Sequence, residues 1–145
     1  RGLGDVYKRQ GELWQARHIE PDDDGDFPFR SGTAMGWVHV VDQEPPLVRV
    51  FAHAVDGVRR SATLLTELNE ISSGALTASV FWDGGTVVVQ QTLHPVGLTA
   101  AVLGHAIDQV AGSADDVGPL IAGVFGGRTP FPPSTERSDE QADTR

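Results

Sequence analysis

Residues 34–55, AMGWVHVVDQEPPLVRVFAHAV, decide the fold. Ala34 to Val41 is rich in β-branched and aromatic residues, which reads as a strand. The DQEPP turn that follows contains Pro45 and Pro46 and leads into a second strand, Leu47 to Val55. Two such runs joined by a short turn predict an antiparallel hairpin. A second hairpin lies downstream. Ala75 to Trp82 alternates, with Leu76, Ala78, Val80 and Trp82 on one side and Thr77 and Ser79 on the other. Asp83-Gly84-Gly85 supplies a glycine-containing connection, and Thr86 to Leu93 (TVVVQQTL) is the partner strand.

The intervening and following segments have the helical period. Ser61 is placed to cap a helix over Ala62 to Ile71, whose Leu64, Leu65, Leu68 and Ile71 share a face. Gly74 is placed to help end it. Pro95 and Gly97 break the chain again, and a second helix is expected from Thr99 to about Val117. Val102, Leu103, Ala106, Ile107 and Val110 form its apolar stripe. Gly118-Pro119 is expected to kink or split it, with Leu120, Ile121, Val124 and Phe125 continuing the pattern. Leu64, Leu68, Val102, Ile107 and Val110 are the expected supports of the core. Strands paired locally and interrupted by helices indicate an α+β domain, with an antiparallel sheet carrying helices on one face.

Upstream, Phe27 to Arg30 reads as a short extended piece behind an acidic turn at Asp22 to Asp26. Gly11 to Ile19 (GELWQARHI) reads as the end of a first helix stopped by Pro21. The first ten residues, RGLGDVYKRQ, hold the chain's sole lysine, Lys8, and its one tyrosine, Tyr7. Elsewhere every basic residue is arginine. This break in composition marks residues 1–10 as an expected non-native leader. Residues 11–127 form the expected single domain, and 128–145, with Pro130, Pro132 and Pro133 before a polar acidic run, an expected disordered tail.

Composition narrows the function. The chain of 145 residues has 20 Asp and Glu against 11 Lys and Arg, for a formal net charge of −9. Nucleic acid and anionic membrane both demand a basic patch, and Arg59-Arg60 is the only adjacent basic pair in the expected fold, so neither is an expected partner. With no Cys there is no disulfide framework, thiolate metal site or cysteine nucleophile. No apolar run is long enough to span a bilayer and no signal-peptide pattern is found, so a cytoplasmic setting is expected.

A search for chemistry returns little. Aligned with an EF-hand loop, Glu20, Asp22, Asp24 and Gly25 fall on suitable positions, but Ser31 stands where a bidentate carboxylate is required. Of the histidines, His105 and Asp108 share a helix face without a third metal ligand. His39 and His53 lie on neighbouring strands of the first hairpin. Nucleophile elbow, P-loop and dinucleotide-binding patterns are all missing. The reading contains no catalytic residue, no metal and no cofactor, and is therefore non-enzymatic.

The strands themselves are more informative. Neighbouring residues point to opposite faces of a sheet, yet Trp37-Val38, Val50-Phe51, Val80-Phe81-Trp82 and Val87-Val88-Val89 are apolar at consecutive positions. Two amphipathic helices cover one face. The other is then closed by a first helix or by curling of the sheet, closed by a second copy in a homodimer, or left as an open groove for a peptide. Trp37, Phe51, Phe81 and Trp82 are the candidate partner- or dimer-binding residues, each with a core role as the alternative.

The run WVHVVDQEPPLVRVFAHAV, then LLTELNEI, VFWDGGTVVVQQTL and GLTAAVLGHAIDQVA resembles a family of small actinobacterial domains related to YbjN proteins and to type III secretion chaperones. The resemblance covers about Asp26 to Gly127. It implies the element order α-β-β-β-α-β-β-α, with the first helix damaged or missing here. It also implies a peptide-binding chaperone or adaptor, often dimeric, that holds a polypeptide partner. A domain sensing a small ligand is the alternative, to which converging His39, His53 and Gln90 would point.

Overall fold

The computed structural model describes residues 26–133. The expected leader (1–10) and the expected first helix over Gly11 to Ile19 lie outside the described residues. Within them the chain is α+β, in the order β1 (Phe27–Ser31), β2 (Ala34–Val41), β3 (Leu47–Val55), α1 (Ala62–Gly74), β4 (Ser79–Asp83), β5 (Thr86–Leu93) and α2 (Ala100–Phe125). The strands form one antiparallel sheet in the order β1-β2-β3-β5-β4. The decisive hairpin pairs Trp37 with Phe51 and Val38 with Val50, and the second pairs Val80 with Val89.

Burial alternates along the central strands. Ala34, Gly36, Val38 and Val40 of β2, and Val48, Val50, Ala52 and Ala54 of β3, are buried on the inner face, while the residues between them are only half-buried. A bulge between His53 and Val55 breaks the β3–β5 register, so Ala54 and Val55 are both buried. The long helix α2 crosses this face. Leu103, Ala106, Ile107, Val110, Ala114, Val117 and Ile121 recur at helical spacing, and all are buried. The shorter α1 packs Leu64 and Leu68 beside β4. Burying each such Leu, Ile or Val side chain stabilises the fold by about 1.5–3 kcal/mol.

Local chemistry sets the helix ends. Ser61 Oγ accepts the Leu64 N–H at 3.1 Å and Thr99 Oγ1 accepts the Val102 N–H at 3.1 Å, each satisfying an otherwise orphaned helical donor. Helix α2 runs unbroken through Pro119, contrary to the expected split. Gly118 explains part of this: a β-carbon there would lie 2.6 Å from the Ala54 carbonyl oxygen, so glycine lets the helix lie directly on β3. Tertiary packing on both sides of Pro119, at Val117, Gly118 and Ile121, offsets the missing N–H.

Three further expectations are corrected. Val102 is 46% exposed and supports no core, because the helix turns its neighbours Leu103 and Ala106 toward the sheet and leaves Val102 on the far side. Strand β4 starts at Ser79 instead of Ala75. The Ala75 N–H closes α1 on Ile71 and Ser72 carbonyls, the next residues reverse the chain, and Leu76 is left 98% exposed. The segment 128–133, expected to be part of a disordered tail, is tied to the body. Arg128 and Asp56 exchange two backbone hydrogen bonds of 2.8 Å, Phe131 N–H donates to Thr33 O at 3.0 Å, and the Arg30 guanidinium stacks 3.9 Å from the centre of the Phe131 ring. Thr33 is anchored in turn, because its N–H and hydroxyl both donate to Asp115 Oδ1, at 2.9 and 3.0 Å. The rest of the expected tail lies outside the described residues.

Two positions allow direct tests of this packing. The Phe29 ring lies over Gly36, where a β-carbon would overlap it. Gly36→Ala is expected to cost about 1–3 kcal/mol in urea unfolding. Combined with Phe29→Leu the losses should be less than additive, whereas strict additivity would show that the ring is not the obstacle. Gln91 sits on the inner face opposite Val50, and its Oε1 is buried without a hydrogen-bond partner. Gln91→Met is therefore expected to leave stability unchanged or raise it by about 1 kcal/mol, measured in the same way.

Candidate functional site

The face of the sheet turned away from the two described helices is built in rows by the strand register. One row runs through Arg30, Met35, His53, Val88 and Phe81, and the next through Pro28, Trp37, Phe51, Gln90 and Ser79. A third contains His39, Arg49 and Thr92. Directly paired residues in an antiparallel sheet project to the same side, so each row is a continuous surface strip.

At its centre the side chains form a cluster. The Trp37 and Phe51 rings stack with centroids 5.4 Å apart and planes inclined by 25°. The His53 ring meets Trp37 edge-on at 4.8 Å and lies 6.1 Å from Phe51. Arg49 places its guanidinium 4.2 Å above the Phe51 ring and donates from Nε to Gln90 Oε1 at 2.6 Å. His39 Nδ1 lies 2.6 Å from Asp26 Oδ1, and His53 Nδ1 is 3.9 Å from Asp56 Oδ1, which also accepts the Thr86 hydroxyl at 2.8 Å. Trp37, Phe51, His53 and Arg49 are all half-buried, each with side-chain surface left to contact a partner.

Of the candidate residues, the structure brings Trp37 and Phe51 into contact. It sets Phe81 on the same face, two strands away from Phe51 across β5. Trp82 points the other way. It pairs with Val87 on the inner face, packs against the core, and donates from Nε1 to the Val58 carbonyl at 2.9 Å. His39, His53 and Gln90 share the outer face, but each is held by a different neighbour and the three do not converge. Sequence reasoning missed Arg49. The signal was present, because 47, 49, 51 and 53 must share a face in a strand. Among the described residues no three metal-ligating side chains gather at one point, and no helix is long and apolar enough to cross a membrane.

The sheet edges offer less to a partner than this face does. Edge strand β1 contains Pro28, which has no N–H to donate, and on edge strand β4 the Val80 N–H is occupied by Ser72 Oγ at 3.1 Å.

A five-stranded antiparallel sheet with both described helices on one face and an aromatic cluster on the other defines a small α+β domain. The model of the family described as "T3SS (YopN, CesT) and YbjN peptide-binding chaperone 1" matches residues 7–133, and the chain belongs to that family. Among solved structures it is similar to ExsC in the crystal structure of the ExsC–ExsE complex, with 13% identity and a TM-score of 0.64 over 81% of this chain and 93% of that one. It is also similar to YbjN from E. coli, with 18% identity and a TM-score of 0.58 over 77% and 89% of the respective chains. A search of curated protein sequences finds no match.

The two faces make opposite demands on their tryptophans. Trp82→Phe leaves the Val58 carbonyl without its donor and is expected to lower stability by about 1–2 kcal/mol. Trp37→Leu, on the half-exposed face, is expected to stay within about 0.5–1 kcal/mol of the parent. Thermal melting of the two variants checks this, and a reversed order would contradict the assignment of faces.

Proposed function

We propose that the protein is a non-enzymatic peptide-binding chaperone or adaptor that holds an extended segment of a partner polypeptide on the outer face of the sheet. The observation that carries this reading is the stacked Trp37–Phe51 pair with His53 at its edge, presented on a surface that neither described helix covers. Aromatic residues at the centre of a patch are the usual anchors of binding free energy, because they bury much apolar area at small entropic cost. Phe81 extends the surface toward β4, whereas Trp82 serves the core and is left out of the proposed contact. Membership of a family described as peptide-binding supports the reading, as does likeness to ExsC, whose structure is that of a complex with ExsE.

The cytoplasmic setting belongs to the same proposal. So does a homodimer in which a second copy closes the outer face when no partner is bound. Such a dimer competes with the partner for one surface, so adding partner would lower the dimer population.

The test is affinity capture from a lysate of the source organism with the full chain as bait and mass spectrometry as readout. The control is the Trp37→Ala/Phe51→Ala double variant, shown by thermal melting to remain folded. One polypeptide enriched by the parent and reduced about tenfold or more in the variant is expected, corresponding to roughly 1.4 kcal/mol or more of lost binding. Recovery of the same proteins by both baits, or of none by either, would overturn the assignment of this face.

A further inference from the structure

We propose that Arg49 makes the outer face selective for acidic–apolar segments, in which an Asp or Glu side chain lies beside the aromatic or large aliphatic residue that packs on Trp37 and Phe51. This inference rests on the peptide-binding reading of the same face and names the chemistry of the partner.

Arg49 is held in place. Its Nε donates to Gln90 Oε1 at 2.6 Å, and its guanidinium carbon sits over Phe51, 4.2 Å from the ring centre. An arginine oriented by both contacts has lost much of its rotamer freedom before a ligand arrives. With Nε engaged, the terminal Nη groups keep their donors for an incoming group, and a guanidinium edge matches the two oxygens of a carboxylate.

The neighbouring charges are already committed. On this face the His39 ring sits against the Asp26 carboxylate and, at longer range, the His53 ring against that of Asp56. Asp56 is further occupied by the Thr86 hydroxyl. Arg30 binds the Gly32 carbonyl and stacks on Phe131, at the far end of its row. Arg49 alone combines a fixed guanidinium, contact with the aromatic cluster and no carboxylate within ion-pairing distance among the described residues. In a chain with net charge −9, an unneutralised cation beside the aromatic cluster is the place where charge complementarity selects a carboxylate. A basic segment gains nothing there, since Arg49 repels it at the point of closest contact.

The experiment is selection from a displayed library of random peptides about ten residues long, enough for an extended strand to cross the sheet with residues to spare. It is run on the full chain and on the folded variants Arg49→Gln, Arg49→Lys and Trp37→Ala. The parent is expected to enrich peptides with Asp or Glu within two positions of an aromatic or aliphatic residue. A synthetic copy of a selected peptide should bind about tenfold more tightly than its Asp→Asn or Glu→Gln counterpart. That preference should vanish in Arg49→Gln and be reduced in Arg49→Lys, which keeps the charge without the planar fork.

Apolar peptides enriched without acidic residues, and lost in Trp37→Ala, would overturn the charge selectivity while leaving the peptide-binding reading intact. An acidic preference that survives in Arg49→Gln would equally overturn the role of Arg49. If no peptide is enriched on the parent chain, both readings fail together.

Discussion

The structure depends on how closely α2 lies against one face of the sheet. At Gly118 the helix approaches β3 so nearly that any side chain would collide with the Ala54 carbonyl, and one and two turns earlier the small residues Ala114 and Ala111 are also buried. Because one long helix covers β2, β3 and β5 at once, a single face becomes the core and the period-two geometry of the strands assigns every other residue to the opposite side. The aromatic cluster is a consequence of that division. Trp37 and Phe51 are outside because Val38 and Val50 are inside.

The same helix also organises the ends of the fold. Asp115 reaches from α2 to the β1–β2 turn and accepts both the N–H and the hydroxyl of Thr33. The Thr33 carbonyl then receives Phe131, and Arg30 covers the ring of that residue. A turn at one corner of the sheet, the middle of the helix and the segment after it are thus joined through one residue. Gly32 adopts φ of 55°, and a β-carbon there would meet the Asp115 carboxylate, so both its conformation and its lack of a side chain are required.

Most of this architecture was legible in the sequence, for definite reasons. The bounds of β2, β3 and β5 follow from β-branched runs between turn residues, and the Ser61 cap opens α1. The apolar period of α2 is plain, although Thr99 proves to be its cap and not its first residue. What was not legible is set by geometry at a distance. Trp82 and Phe81 are neighbours and so face opposite ways, and only their register against Val87 and Val88 says which of them is inside. Leu76 fits the alternation of β4 but falls in the stretch consumed by reversing the chain after α1. The segment after Gly127 has the composition of a tail, yet backbone hydrogen bonds to Asp56 and Thr33 hold it, and backbone bonding leaves little trace in side-chain identity. Arg49 was passed over because a charged residue in a strand reads as a solvated one until its neighbours Phe51 and Gln90 are seen to hold it.

The outer face also shows how an acidic chain keeps an apolar surface without inviting every strand in solution. Pro28 in one edge strand and the Ser72–Val80 contact on the other reduce the donors available for edge-to-edge pairing. In the proposed reading partners dock on the face instead, where contact is made by side chains and sequence can be discriminated. On that face the apolar anchor and the cation are adjacent parts of one arrangement. Phe51 stacks on Trp37 and also carries the Arg49 guanidinium, so a segment filling the aromatic contact would bring its next side chain to a fixed positive charge. A surface of aromatic rings alone would hold any apolar segment, including those exposed by unrelated unfolded chains. On the proposed reading the fixed guanidinium would make part of the contact conditional on charge. Because the overall charge of −9 works against a carboxylate at long range, such a group would gain only where it can reach Arg49 directly.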